Sequence, residues 1–222
     1  MNNLLEIKKL NLIYKINNKS LQILKNINLS LKQKESISVV GESGSGKTSL
    51  IMLIAGMEKF NSGDLIFDGI NLKNLNEDQL TDIRKKNIGI IFQSFFLLPN
   101  FTALENVNLS LEINNINNGI LKSKDILDRV GLKNRLNHFP SQLSGGEQQR
   151  VAIARSLVMK PKLILADEPT GNLDKVNSLL ISNILFDLVN DEGSSLILVT
   201  HDTKIANKAN KKVEINDGKI SG

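Results

Sequence analysis

The stretch GESGSGKT, residues 41–48, lies between the β-branched run SISVV (36–40) and a segment of helical periodicity from Lys47 to Met57. A G-x-x-x-x-G-K-[ST] spacing in that context demands a strand, a loop that closes on phosphate, and a helix. Gly41, Gly44 and Gly46 let the backbone curl so that successive N–H groups point inward, at the positive end of the helix that follows. The predicted cradle is the whole loop: Gly41, Glu42, Ser43, Gly44, Ser45, Gly46, Lys47 and Thr48. Lys47 can reach the β- and γ-phosphates, and the Thr48 hydroxyl can ligate Mg²⁺. An ordinary Gly/Ser turn would require both the spacing and the flanking elements to be accidental.

Two further apolar runs, KLILAD (162–167) and SLILVT (195–200), read as buried strands that each lead towards a helical stretch. The alternation predicts an α/β fold with a parallel sheet between helices. Residues 1–35 instead alternate apolar and polar positions, as at Leu5 and Ile7 and at Leu24, Ile27, Leu29 and Leu31. With Asn17-Asn18-Lys19 as a turn signal, they predict antiparallel strands. From Phe101 to Leu157 no strand pattern is convincing, and TALENVNLSLEI and SKDILDRVGL carry apolar residues at helical spacing. INNINNG (113–119) reads as a helix end or an exposed loop. The expectation is one domain over 1–222, with core and antiparallel β parts at about 1–93 and 158–222 and a helical subdomain inserted at about 94–157.

Glu168 follows LILAD, so this strand ends in two adjacent carboxylates. Asp167 is placed to hold the hydration shell of Mg²⁺, and Glu168 to polarise an attacking water as general base. In isolation such a pair is a solvated turn; the upstream phosphate loop gives it a task. His201, directly after SLILVT, could touch a γ-phosphate and sense its loss, and Gln93, after the strand-like IGIIF, could orient water or complete a metal shell. Taken singly, each reads equally well as a polar residue at a core edge. His138 has no motif around it and reads as surface. Tyr14, the one tyrosine, is a ring able to stack on an adenine or simply to pack on its strand.

LSGGEQQR (143–150) is a second glycine-rich, helix-opening motif. Ser144, Gly145 and Gly146 are small enough for backbone approach to a phosphate, and 147–157 reads as a helix whose N-terminus would face it. Its place inside the helical insert argues against folding back onto the chain's own phosphate loop. A phosphate cradled on one side has an open side, so a second copy of the chain is expected to supply this motif, sandwiching two nucleotides head to tail. The alternative is a Gly-Gly helix start with no ligand.

In this order and spacing the motifs resemble those of the ATP-binding cassette ATPases over nearly the whole chain. GESGSGKT resembles Walker A, Gln93 the Q-loop, LSGGEQ the family signature, LILADE the Walker B strand with its catalytic glutamate, GNLD (171–174) the D-loop with Asp174, and His201 the switch histidine. The resemblance implies a P-loop NTPase with a RecA-like core, an antiparallel β subdomain and a helical subdomain. It also implies hydrolysis of ATP with Mg²⁺, coupled to transport, in a nucleotide-sandwich dimer. ADEPTGNLD and LSGGEQQRVAIARSL resemble the branch containing lipoprotein-releasing, MacB-type and FtsE-type ATPases; FLLPNFTALENV and NHFPSQLSGGE look most like its lipoprotein-releasing members. That branch implies integral membrane permease subunits as partners and a peripheral place on the cytoplasmic face of the inner membrane. An FtsE-type member would instead signal through its membrane partner, and a MacB-like one would export.

Composition removes other classes. With no cysteine there is no disulfide or thiolate metal site. The N-terminal MNNLLEIKKLNLIYK lacks the apolar core of a secretion signal and no apolar run is long enough to span a bilayer, so a soluble, cytoplasmic chain is expected. The excess of 28 Lys and Arg over 23 Asp and Glu is scattered, without interleaved aromatics, so nucleic acid is not expected as a partner. The apolar run Phe95-Phe96-Leu97-Leu98 reads either as part of a groove for a partner's helix or as core of the helical subdomain.

Overall fold

The computed structural model describes residues 3–16 and 19–221. In chain order the elements are β1 (Asn3–Ile16), β2 (Lys19–Lys32), β3 (Ser36–Val40), α1 (Lys47–Ile54), β4 (Ser62–Phe67), β5 (Ile70–Asn71), α2 (Glu77–Asn87) and β6 (Ile88–Phe92). They continue with α3 (Ala103–Ile113), α4 (Gly119–Arg129), α5 (Gly145–Leu157), β7 (Leu163–Asp167) and α6 (Lys175–Glu192). Last come β8 (Ser195–Val199), α7 (Thr203–Ala206), β9 (Lys211–Asn216) and β10 (Lys219–Ser221). The chain condenses into two compact units, Met1–Arg84 with Ser195–Gly222, and Lys85–Ser194.

In the first unit β3 runs parallel to both β8 and β9, with Val39 opposite Val199 and Val213, and β10 closes the edge antiparallel to β9. β8 is buried at every position and β3 at all but its last. Strands covered on both faces need continuous apolar runs, which is why these two do not alternate. A second, antiparallel sheet has the order β2-β1-β4-β5. In β2 the buried positions jump by three from Leu24 to Ile27 before alternating, because Asn26 takes a left-handed φ of 53° and the register with β1 shifts there. A bulge of this kind adds one residue and returns the following side chains to the same face. The predicted turn at Asn17-Asn18 lies outside the described residues.

Four features of this unit carry no clear periodic signal. β4, β5 and the β9–β10 hairpin are short, and α2 (EDQLTDIRKKN) buries only Leu80. α2 forms because Asn76 and Gln79 exchange side-chain-to-backbone hydrogen bonds at its start (2.9 and 3.0 Å) and Arg84 anchors it on the Gly56 carbonyl at 2.7 Å. α1 ends at Ile54, short of Met57, since Gly56 turns left-handed at φ 64°.

In the second unit β6 and β7 pair in parallel, with Phe92 opposite Asp167. Helices α3, α4 and α5 pack on one another through Val107, Leu111, Ile126, Leu127, Val151 and Ala154, all buried, and no strand interrupts 101–157. The asparagine-rich 113–119 segment falls between α3 and α4, as a helix end and loop. Asn106, fully buried on α3, accepts from the Leu98 N–H and donates to the carbonyls of Leu98, Phe101 and Thr102, which pins the segment leading into this helix. Among the described residues no helix is long and apolar enough to cross a membrane.

Candidate functional site

The loop at 41–48 leaves β3 and enters α1. Gly46 is the N-cap of α1 at φ 105°, no side chain caps the helix, and its first turn holds no acidic residue. The helix therefore presents its positive end uncompensated, which suits an anion. Lys47 folds its Nζ back to donate to the carbonyls of Gly41 (2.9 Å) and Glu42 (2.6 Å). Ser45 is buried with a hydroxyl that has no partner among the described residues, a cost of about 1–3 kcal/mol unless a ligand supplies one. Gly41 is required by space as well as by φ 152°: a Cβ there would stand 2.2 Å from the Ile215 carbonyl oxygen. Glu42, Ser43, Gly44 and Thr48 lie on the exposed side of the loop. An uncapped helix N-terminus, an orphan hydroxyl and a lysine ammonium held only by backbone carbonyls fit a polyphosphate.

Tyr14 and His201 belong to the same unit. Tyr14 pairs with Leu21 across the β1–β2 ladder and is half-buried. Burial, then a hydrogen bond to Glu58, raises its phenol above the usual value, and Ser49 on the first turn of α1 partly offsets this. The ring thus lies against the helix that opens at the phosphate loop. The Thr200 N–H bonds the Val39 carbonyl at 3.2 Å, so His201 leaves β8 at the edge where β3 delivers Gly41. His201 is exposed, and the next residue, Asp202, caps α7.

The second unit gathers the remaining residues. Because Phe92 pairs with Asp167, Gln93 and Glu168 each stand one residue beyond the ladder at a common edge. Asp167 is buried; Glu168 is half-buried and left-handed at φ 47°, a conformation of order 1–3 kcal/mol above the relaxed one that collects at functional positions. Gln93 and Asn172 exchange two hydrogen bonds, Nε2 to Oδ1 and Nδ2 to the Gln93 carbonyl, both 3.0 Å. Asp174 is the N-cap of α6, accepting from the N–H groups of Val176 and Asn177 at 3.0 Å; bonds to Asn177 hold its carboxyl below the usual range.

Ser144 is the N-cap of α5, and Gly145 and Gly146 form its first turn. A Cβ on Gly145 would touch Leu173 and Phe95, and one on Gly146 would meet Asn177 at 3.4 Å, so the signature helix starts against the segment around Asp174. The run from Phe95 to Leu98 is not core: Phe96 is 65% exposed and Leu98 40%, while the Arg155 guanidinium forks to the carbonyls of Phe95 (3.0 Å) and Phe96 (2.7 Å). His138 is half-buried, its carbonyl bonded to the Ala103 N–H. Arg155, and the pairing of Gln93 with Asn172 and Gly171 of the GNLD stretch, are what sequence reasoning missed. These partners are distant in the chain, so no local spacing marks the contacts. Among the described residues no group of three or more His, Cys, Asp or Glu converges as a ready-made metal site. Thr48, Gln93 and Asp167 are hard oxygen donors of the type Mg²⁺ takes, but too few to bind it without phosphate.

A phosphate loop between β3 and α1, an acidic pair at the end of β7 and a capped glycine start of α5 define a P-loop ATPase of the cassette class. The ABC transporter family model matches residues 24–171, and the chain belongs to that family. Within it, the chain is 43% identical to the lipoprotein-releasing system ATP-binding protein LolD of Wigglesworthia glossinidia brevipalpis, over 99% of this chain and 98% of that one. LolD of Shewanella denitrificans is also 43% identical, over 90% of this chain and 87% of its own length. Among solved structures, the dimeric ATP-binding cassette MJ0796 in a post-hydrolysis state with ADP and phosphate superposes with a TM-score of 0.90 at 37% identity, covering 98% of this chain and 97% of that one.

Proposed function

We propose that the chain is the ATP-hydrolysing subunit of a transport complex that releases lipoproteins from the inner membrane towards the outer membrane. The observation that carries this reading is the 43% identity to a LolD protein over 99% of the chain. In this reading two copies hold two ATP molecules, each between the 41–48 loop of one copy and Ser144, Gly145 and Gly146 of the other. Lys47 exchanges the Gly41 and Glu42 carbonyls for phosphate oxygens, a swap that keeps its charge solvated by oxygen throughout. Tyr14 stacks on the adenine.

Thr48, Asp167 and Gln93 are the residues that would hold Mg²⁺, which would supply charge neutralisation at the phosphates. Glu168 takes the proton of the attacking water, while Gln93 and His201 orient that water and the γ-phosphate. Asp174 keeps the start of α6 in register with the signature helix. Loss of the γ-phosphate removes the charge that joins the two copies, and the dimer opens.

Work requires attachment, which we assign to LolC/LolE-like permease subunits at the cytoplasmic face of the inner membrane. The exposed Phe96 and Leu98, on a segment tied down by Arg155 and Asn106, offer a firm apolar contact for such a subunit. Reconstitution with the co-purifying membrane subunits in vesicles bearing a lipoprotein tests the reading. Release that requires ATP supports it. Co-purification with an FtsX-like subunit, and no release despite hydrolysis, would replace it with a signalling role.

A further inference from the structure

Gln93 has a carboxamide whose two ends are chemically opposite. Its oxygen carries lone pairs that a hard cation or a water proton can use, and its nitrogen offers only N–H donors. Rotating the amide by half a turn would therefore convert a metal or water ligand into a group that repels one. The free-energy difference between the two rotamers must come from whatever the amide touches.

That contact is Asn172. The Gln93 backbone carbonyl can only accept, so it selects Nδ2 of Asn172, at 3.0 Å. Oδ1 of Asn172 is then left facing Gln93, and because it too can only accept, it selects Nε2 of Gln93, at 3.0 Å. With Nε2 turned inward, Oε1 is turned outward, and it has no protein partner among the described residues. Both amide orientations thus follow from one backbone carbonyl. Gly171 supplies the room: a Cβ there would stand 2.9 Å from Nε2 and 3.1 Å from Cδ of Gln93, so the amide lies directly over the glycine. The Gly171 N–H is in turn fixed by the Glu168 carbonyl at 3.0 Å, which ties the arrangement to the strand end that carries Asp167 and Glu168.

We propose that Asn172 is a positioning residue that sets the polarity of the Gln93 amide, presenting Oε1 to the reaction; the role rests on the assignment of Gln93 made above. Asn172 touches neither nucleotide nor metal in this scheme and acts only through Gln93. The Asn of GNLD is thereby given a task that the acidic residue of the same loop does not perform.

The test uses the full chain with Asn172→Ala, Asn172→Asp, Gln93→Ala and the Gln93→Ala/Asn172→Ala double variant. Without nucleotide, the Gln93 side-chain NH₂ of the wild type is expected to exchange slowly with solvent by NMR, and that protection is expected to vanish in Asn172→Ala. In hydrolysis, both Asn172 variants should raise the Mg²⁺ concentration for half-maximal rate about tenfold, as for other residues that orient a metal ligand, with metal-free ATP affinity unmoved. Asn172→Asp is nearly isosteric, so a purely space-filling role predicts wild-type behaviour where polarity predicts loss.

The double variant should be no worse than Gln93→Ala. Additive losses, or an unchanged Mg²⁺ dependence in Asn172→Ala, overturn the proposal while leaving the role of Gln93 standing. A Gln93→Ala variant with wild-type turnover and Mg²⁺ dependence overturns both. Should Asn172→Ala fold poorly, Gly171→Ala displaces the same amide by an independent route and must reproduce the Mg²⁺ effect.

Discussion

Ser144 and Glu147 hold each other in a closed ring. The Glu147 carboxylate accepts from the Ser144 N–H and hydroxyl, both at 2.9 Å, and the Ser144 oxygen accepts from the Glu147 N–H at 3.3 Å. Arg135 adds an ion pair at 2.9 Å. The Ser144 backbone bond first, and Arg135 second, depress the Glu147 pKa from 4.5 to about 2. The hydroxyl proton of Ser144 is therefore already engaged inward, and donating it to a phosphate requires the hydroxyl to rotate away from Glu147.

This ring gives a pH signature. A carboxyl whose folded pKa lies below its unfolded one stabilises the fold fully above the unfolded value and loses that contribution as pH falls through the folded value. Glu147 should therefore stabilise the chain above pH 4.5 and cease to do so as pH approaches about 2. Its side chain is 19% exposed, so little is lost to solvent screening and the contribution reaches about 3 kcal/mol at most. Glu147→Gln keeps an acceptor at the cap but no charge. Urea melts should show it less stable than the wild type at pH 7 and progressively closer to it between pH 4.5 and pH 3; a gap that stays constant would remove the charge from the explanation.

Glu168→Gln should leave ATP binding intact and slow hydrolysis by roughly 10²–10⁴-fold, the usual worth of a positioned general base. With the γ-phosphate retained, the dimer should persist, visible as an ATP-dependent doubling of mass in light scattering. Wild-type turnover in this variant would assign the proton transfer elsewhere.

For Tyr14, ring and hydroxyl can be separated. Its hydroxyl is bonded to Glu58 and Ser49, so Tyr14→Phe should cost about 1 kcal/mol of stability while ATP affinity stays near wild type. Tyr14→Ala removes the stacking face and should weaken ATP binding by up to roughly tenfold in calorimetric titration. An unchanged affinity with a lowered melting temperature would make the ring a packing residue.

What the sequence discloses follows the range over which each feature is encoded. The phosphate loop, the buried runs of β3, β7 and β8, and the cap that opens α5 are local patterns, legible because spacing of a few residues determines them. α2 was hidden because a helix that buries only Leu80 has no apolar face to read, and β4, β9 and β10 because strands of six residues or fewer offer too few alternations. The Gln93–Asn172 pair lies further still from view: its members are 79 residues apart, and nothing in either neighbourhood asks for the other. In sequence Phe96 and Leu98 read equally well as an exposed groove or as core; in the fold they lie exposed, since Arg155 and Asn106 satisfy their backbone and leave the side chains outside.

The central claim, that Ser144 of one copy completes the phosphate site of the other, is tested most directly by complementation. Ser144→Arg keeps an intact phosphate loop and loses the signature contact, whereas Lys47→Ala does the reverse; each alone should bind to a partner copy without productive hydrolysis. Mixed in equal amounts, they form heterodimers in which one composite site is whole, and we expect ATP hydrolysis to reappear well above either variant alone. A mixture that stays as inactive as its components, with heterodimers demonstrably present, would contradict a site shared between two copies.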